Sequence, residues 1–256
     1  MLLVLDVGNT QTSYGIFQDS KLVYHWRGET KSARTPDEYA GFLFPLLNHT
    51  GIKLEKIEGV AICSVVPPCN FNLKKFCESY LNKVPFFVSH ENRADFTIEV
   101  ETPSEVGADR LANTAYAVKH LKLPAIVVDL GTATTFDVIT EDKVYQGGII
   151  LPGIAMGAES LSRKTSLLPL VPTDFPKKVI GKNTTTCIQS GILFGYCDAI
   201  DGLLTRLQNE IGKQCSVALT GGISSLIHPH LKQKTQILPN LTLEGVEILF
   251  RQNVGI

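Results

Sequence analysis

A short apolar run that ends in an aspartate and a glycine occurs twice in this chain. Leu2–Leu5 leads into Asp6-Val7-Gly8-Asn9-Thr10, and Ala125–Val128 leads into Asp129-Leu130-Gly131-Thr132-Ala133. Each corner is followed by a β-prone run (Thr12–Phe17, Thr134–Ile139), a polar turn (Gln18–Lys21, Thr140–Lys143) and a further strand (Leu22–Trp26, Val144–Ile150). Either hairpin alone reads as ordinary, because Asp, Gly, Asn and Thr are common turn residues. Their recurrence in register constrains the fold: chance turns do not repeat strand, Asp, Gly and hairpin as a set. Two copies of one α/β unit are expected.

The segments between the copies fit that expectation. Thr35-Pro36-Asp37-Glu38 has the form of a capping box with proline in the first turn, opening a helix to about His49. Ile57–Cys63 reads as a buried strand, Pro67–Leu81 as a helix, and Val84–Val88 as another strand. The second half begins near Gly107–His120, a helix, and repeats strand and hairpin. Gly147–Gly153 opens a further helix, and Thr184-Thr185-Thr186 is suited to capping an amphipathic helix over Cys187–Ile211. A strand at Ser216–Leu219 ends at Thr220-Gly221-Gly222. The expected architecture is two mixed sheets flanked by helices, over residues 1–106 and 107–256, with a cleft between them; the last helix is free to pack back on the first half.

Composition narrows the partners. With 256 residues, 44% hydrophobic, 19% charged and a net charge of −1, the chain suits a globular protein with a sizeable core. Its Lys and Arg residues are scattered, which argues against a nucleic-acid groove or an anionic membrane surface. The six cysteines form no CxxC pair and no zinc-ligand spacing with histidine, so most are expected to be buried thiols in a reducing, cytoplasmic setting. The six histidines form no catalytic set. A small-molecule partner is expected. The corner composition suggests which kind: glycine admits a phosphate close to the backbone, Asn and Thr supply neutral hydrogen bonds, and a strand-end Asp can hold a hydrated cation.

Three glycine-rich corners in this order, Asp6–Thr10, Asp129–Thr135 and Thr220–Gly222, resemble the two phosphate motifs and the adenosine motif of the actin, sugar kinase and acetate kinase superfamily. A sharper resemblance comes from Gly107-Ala108-Asp109-Arg110 preceded by Pro103–Val106, from Gly147–Gly153 and from Gly181–Thr184. Together these look like type III pantothenate kinase over nearly the whole chain. The resemblance implies two ribonuclease-H-like domains and ATP-dependent phosphorylation of pantothenate, the first step of coenzyme A synthesis. It also implies a homodimer.

What the resemblance implies for single residues is specific. Asp109 is expected as the base that accepts the proton of the attacking hydroxyl; an Asp-Arg dipeptide taken alone reads as a local pair on a helix face. Gly107, Ala108 and Arg110 are expected around pantothenate, with Arg110 suited either to clamp its carboxylate or to a structural salt bridge. Asp6, Val7, Gly8, Asn9, Thr10, Gln11, Thr12 and Ser13 are expected to cradle ATP, with Asp6 on Mg2+. That loop lacks the lysine of a Walker loop, so neutralisation leans on cations. Asp129 is expected to hold a monovalent cation, K+ or NH4+, with Thr132 on ATP; from the residues alone Asp129 could equally be a second magnesium ligand. Gly221 and Gly222 are expected at the adenosine, and Thr184 at the substrate, where it could also serve as a helix cap. Val100 departs from the pattern, which has a tyrosine there, so the substrate's far end is expected to be held differently. Two other readings are a kinase for another small hydroxylated metabolite and a non-catalytic nucleotide-binding regulator.

Overall fold

The structure is a computed structural model that describes residues 1–254. The chain divides into two compact units, Met1–His120 together with the segment from Asn240, and Leu121–Pro239. Gly107–His120, expected to open the second half, packs in the first unit.

In the first unit, β1 (Leu2–Val7) pairs antiparallel with β2 (Gln11–Gln18), which pairs with β3 (Lys21–Glu29). The β2–β3 turn places Asp19 and Ser20 at φ 50° and 59°, the left-handed pair that a two-residue hairpin needs to match strand twist. Helix α1 (Pro36–Thr50) crosses to β4 (Gly59–Ser64), parallel to β1, and α2 (Pro67–Tyr80) leads to β5 (Phe86–Phe87). The capping box of α1 is formed: Thr35 Oγ1 accepts the Glu38 N–H and the Glu38 carboxylate accepts the Thr35 N–H. The strand expected over Val84–Val88 contracts to two residues, because Pro85 has no N–H to donate. After the two-residue strand β6 (Thr97–Ile98) comes α3 (Ala108–His120), and the C-terminal α7 (Leu241–Val254) packs beside α3.

Strand alternation divides this sheet into two faces. Leu3, Leu5 and Val7 of β1, with Tyr14 and Ile16 of β2, join the core formed with α1 and α2. Leu2, Val4 and Asp6 therefore point to the opposite face, against which α7 packs.

The second unit repeats the plan. β7 (Ala125–Leu130), β8 (Ala133–Ile139) and β9 (Val144–Pro152) form consecutive antiparallel pairs, and β10 (Ser216–Thr220) and β11 (Gln236–Ile237) extend the sheet in parallel beyond β7. The order β3-β2-β1-β4-β5 of the first unit thus matches β9-β8-β7-β10-β11. Helices α4 (Ile154–Lys164) and α5 (Thr184–Ile211) lie between β9 and β10, and the short α6 (Ser224–Ile227) follows β10. Ile126, Val128, Leu130, Phe136 and Leu219 form a core with Leu193, Cys197 and Leu204 of α5, which leaves Asp129 on the other face.

Candidate active site

The corners that end β1 and β7 have the same build, one residue different in length. Asp6 lies opposite Ser13 and Val7 opposite Thr12, with four residues, 8–11, between the paired ends. Asp129 lies opposite Thr135 and Leu130 opposite Thr134, with only 131–133 between. The Gly8 N–H donates to the Gln11 carbonyl at 3.1 Å, and the Gly131 N–H to the Ala133 carbonyl at 3.2 Å. Asn9, Thr10 and Gln11 are exposed, whereas Thr12 is buried.

Asp109 reaches the first corner through the fold of its own unit. The Val65 N–H, just beyond β4, donates to the Val7 carbonyl at 3.1 Å, so β4 continues alongside the first corner. Gly107 sits beside Val65: a Cβ on Gly107 would lie 3.6 Å from Val65 Cγ1. The same Cβ would lie 2.5 Å from Asp109 Oδ1, so the carboxylate can fold back over this position only because no side chain occupies it. Oδ1 accepts the Arg110 N–H at 2.8 Å, in the first turn of α3. Gly107 and Asp109 therefore lie by the C-terminal end of β4, the strand that pairs with β1, which carries Asp6 one residue before its end. Burial raises the Asp109 carboxyl above its ordinary value, against the lowering pull of the Arg110 N–H and guanidinium. A desolvated carboxylate is a stronger proton acceptor than one in water.

In the second unit, Asp129 and Gly221 form one construction. Asp129 pairs with Thr220 across β7 and β10, and Gly221 follows at φ +90°. A Cβ there would come within 2.6 Å of Asp129 Oδ1 and of the Leu130 carbonyl oxygen. Any other residue would push the carboxylate aside, a dependence that the sequence reading, which placed Gly221 only at the adenosine, did not anticipate. The Thr132 carbonyl accepts the Gly153 N–H at 3.1 Å, which brings the N-cap residue of α4 against the corner. A helix N-terminus in that position favours an anion. Sequence reasoning missed this junction as well; the signal was Pro152-Gly153 just ahead of a helical pattern.

One expectation about helix termini is corrected. Helix α5 begins at Thr184 rather than Cys187, and its N-cap is Asn183: the Asn183 Oδ1 accepts the Thr186 N–H at 2.9 Å and completes a capping box. Asn183 has extended backbone, φ −148° and ψ 167°, as a cap requires, while Thr184 is already helical. Thr184 is exposed in the first turn and Val100 half-buried in a bend.

Among the described residues no three His, Cys, Asp or Glu side chains cluster as a metal cage. The single carboxylate of Asp6 fits a magnesium ion that draws its other ligands from phosphate oxygens and water. At the Asp129 corner, hypothetical Cβ atoms on Gly131 and Gly221 would meet both the carboxylate and the Ala133 and Leu130 carbonyl oxygens, oxygen donors of the kind that hard cations take.

Comparison with known proteins gives the family and the fold. Residues 2–206 match the family described as type III pantothenate kinase. A curated protein of that name from Halalkalibacterium halodurans is 41% identical over 99% of this chain and 100% of its own. Among solved structures, a Campylobacter jejuni protein described as a Baf family transcriptional activator aligns over 99% of this chain and 100% of its own, with TM-score 0.63 at 18% identity. A ROK hexokinase from Thermus thermophilus aligns over 97% of both chains, with TM-score 0.52 at 13% identity. These two share the fold, mixed α/β. With its family signature, duplicated corners and Gly-Ala-Asp-Arg element, the chain belongs to the type III pantothenate kinases.

Proposed function

We propose that Asp109 is the general base of this enzyme and that the two corners hold the nucleotide and its cations. Family membership gives the reaction: ATP-dependent transfer of a phosphoryl group to the hydroxyl of pantothenate, in coenzyme A biosynthesis. The observation that carries the residue assignment is the position of Asp109, partly buried with a raised pKa, on the strand edge where Asp6 also ends. With Oδ1 engaged by the Arg110 N–H, Oδ2 is assigned to accept the hydroxyl proton as the phosphoryl group arrives in line. Gly107, Ala108, Arg110, Val100 and Thr184 are assigned to pantothenate, Arg110 binding its carboxylate.

Residues Asp6–Ser13 are assigned to the ATP phosphates, the buried Thr12 through its backbone alone, Asp6 to Mg2+, Asp129 to K+ or NH4+, Thr132 to ATP, and Gly221 with Gly222 to the adenosine. The bound cations would neutralise phosphate charge that this lysine-free loop does not. We further assign a homodimer, because Leu167, Leu170, Val179 and Ile180 are apolar, exposed and close in sequence to Thr184. The cytoplasmic assignment rests on six free cysteines, four of them buried. No helix among the described residues is long and apolar enough to cross a membrane.

The test is a coupled ADP-release assay with pantothenate, ATP, magnesium and potassium. Asp109→Asn is expected to lower kcat by roughly 10²–10⁴-fold while ATP and pantothenate still bind; an unchanged kcat rejects the base assignment. In the same assay sodium in place of potassium is expected to slow the wild-type enzyme, and indifference to that exchange removes the ion from Asp129.

A further inference from the structure

Thr12 and Thr30 form a hydroxyl pair that the reaction chemistry does not use. Strand alternation sends the Thr12 side chain to the α1/α2 face, away from Asp6 and Ser13, and buries it to 1% exposure. There its Oγ1 lies 2.8 Å from Thr30 Oγ1. Thr30, one residue past the end of β3, also donates its N–H to the Thr10 carbonyl at 3.0 Å. One residue thus grips the 8–13 loop twice, through the backbone at its exposed tip and through a side chain at its buried base.

The gripping residue is itself fixed. The segment behind it is fastened to α1 and α2: Asn72 Nδ2 donates to the Arg34 carbonyl at 3.0 Å, and the Arg34 guanidinium lies 5.4 Å from the Tyr39 ring centroid and 5.6 Å from that of Phe42. A tie to a mobile flap would not define the loop; a tie to a packed helix layer does. The second unit contains the same device in different chemistry. Thr134, which corresponds to Thr12 in strand register, is fully buried and shares a hydrogen bond with the Tyr196 hydroxyl of α5. Both corners therefore carry a buried threonine whose hydroxyl is tied to a neighbouring element.

We propose that Thr30 is a positioning residue for nucleotide binding, holding the Gly8–Ser13 backbone in the conformation that receives the phosphates. The inference rests on the assignment of Asp6–Ser13 to ATP. Removing the hydroxyl with Thr30→Val leaves the Thr12 hydroxyl buried without its partner and loosens the loop without touching substrate.

The experiment measures KM for ATP and for pantothenate, with thermal melts, for Thr30→Val, Thr30→Ser and Asp6→Asn. Thr30→Val is expected to raise the ATP KM about three- to tenfold, the range set by loss of one hydrogen bond. Pantothenate KM should stay within about twofold, and Thr30→Ser should recover most of the ATP affinity. An ATP KM within about twofold of wild type in Thr30→Val, equal rises in both KM values, or failure of serine to rescue, each overturns the proposal. If the valine variant does not fold, Thr30→Ala takes its place: a raised ATP KM in Thr30→Ala that Thr30→Ser restores supports the proposal, whereas a normal ATP KM in Thr30→Ala overturns it. Asp6→Asn separates the two levels: if it leaves ATP affinity unchanged, the loop assignment fails; if it weakens ATP and Thr30→Val does not, only the role of Thr30 fails.

Discussion

At the residue scale, Asp109 combines two demands that oppose each other. A carboxylate that accepts a proton efficiently is one that water does not stabilise, and that same desolvation costs folding energy while the group is charged. Because its pKa is raised on folding, the native state binds the proton more tightly than the unfolded chain does. Its stabilising contribution is present below the ordinary aspartate value of about 4 and is lost as pH rises through the folded value. Asp109→Asn should therefore melt at or above the wild-type temperature at pH 7, and the difference should shrink as pH falls toward about 4.5. Calorimetry at the two pH values checks this, and a lower Tm for the variant at pH 7 contradicts it. The same raised pKa places the acid limb of the kcat/KM profile above the ordinary aspartate range. The element Gly107-Ala108-Asp109-Arg110 was legible in the sequence. That Gly107 is the space into which the carboxylate folds was not, because this depends on a side-chain direction two residues away.

At the scale of elements, α3 positions Asp109, and α7 holds α3. The helices meet where Gly245 faces Ala112: a Cβ on Gly245 would lie 1.9 Å from the Ala112 carbonyl oxygen. The buried Thr242 hydroxyl donates to Asn113 Oδ1 at 2.8 Å and fixes the register of the pair. Gly245→Ala must push the helices apart, at a cost of about 3 kcal/mol, and should lower Tm by several degrees and reduce kcat together. A variant with wild-type Tm would show that the contact yields freely. Local signals announced α1 well, since Thr35, Pro36 and Glu38 lie within one turn and form their cap there. They misjudged the start of α5, where the triple threonine drew attention from Asn183, the residue with the cap geometry. Short strands such as β5 and β11, two residues each, carry too few side chains for a period to show.

For the whole molecule, the same order of five strands within each of the two sheets is the folded form of the repeated Asp-Gly corners. Exposed Leu167, Leu170, Val179 and Ile180 lie on the segment leading to Thr184, and a dimer made through them would shelter an apolar surface. Sedimentation at micromolar protein is expected to show a dimer, and Leu167→Glu with Ile180→Glu to shift it to monomer with loss of pantothenate affinity. A wild-type monomer at that concentration refutes the assignment. The sequence by itself determined the doubled α/β plan, the hairpins and the acidic corners, because period-two burial, turn chemistry and helix caps act over a few residues. Only the tertiary structure decided that α3 and α7 belong with the first sheet, that Gly221 makes room for Asp129 and that Thr30 braces the first loop. Those relations join residues far apart in the chain, and they are set by how closely backbones approach and which buried polar groups find partners, quantities that no local pattern of residues encodes.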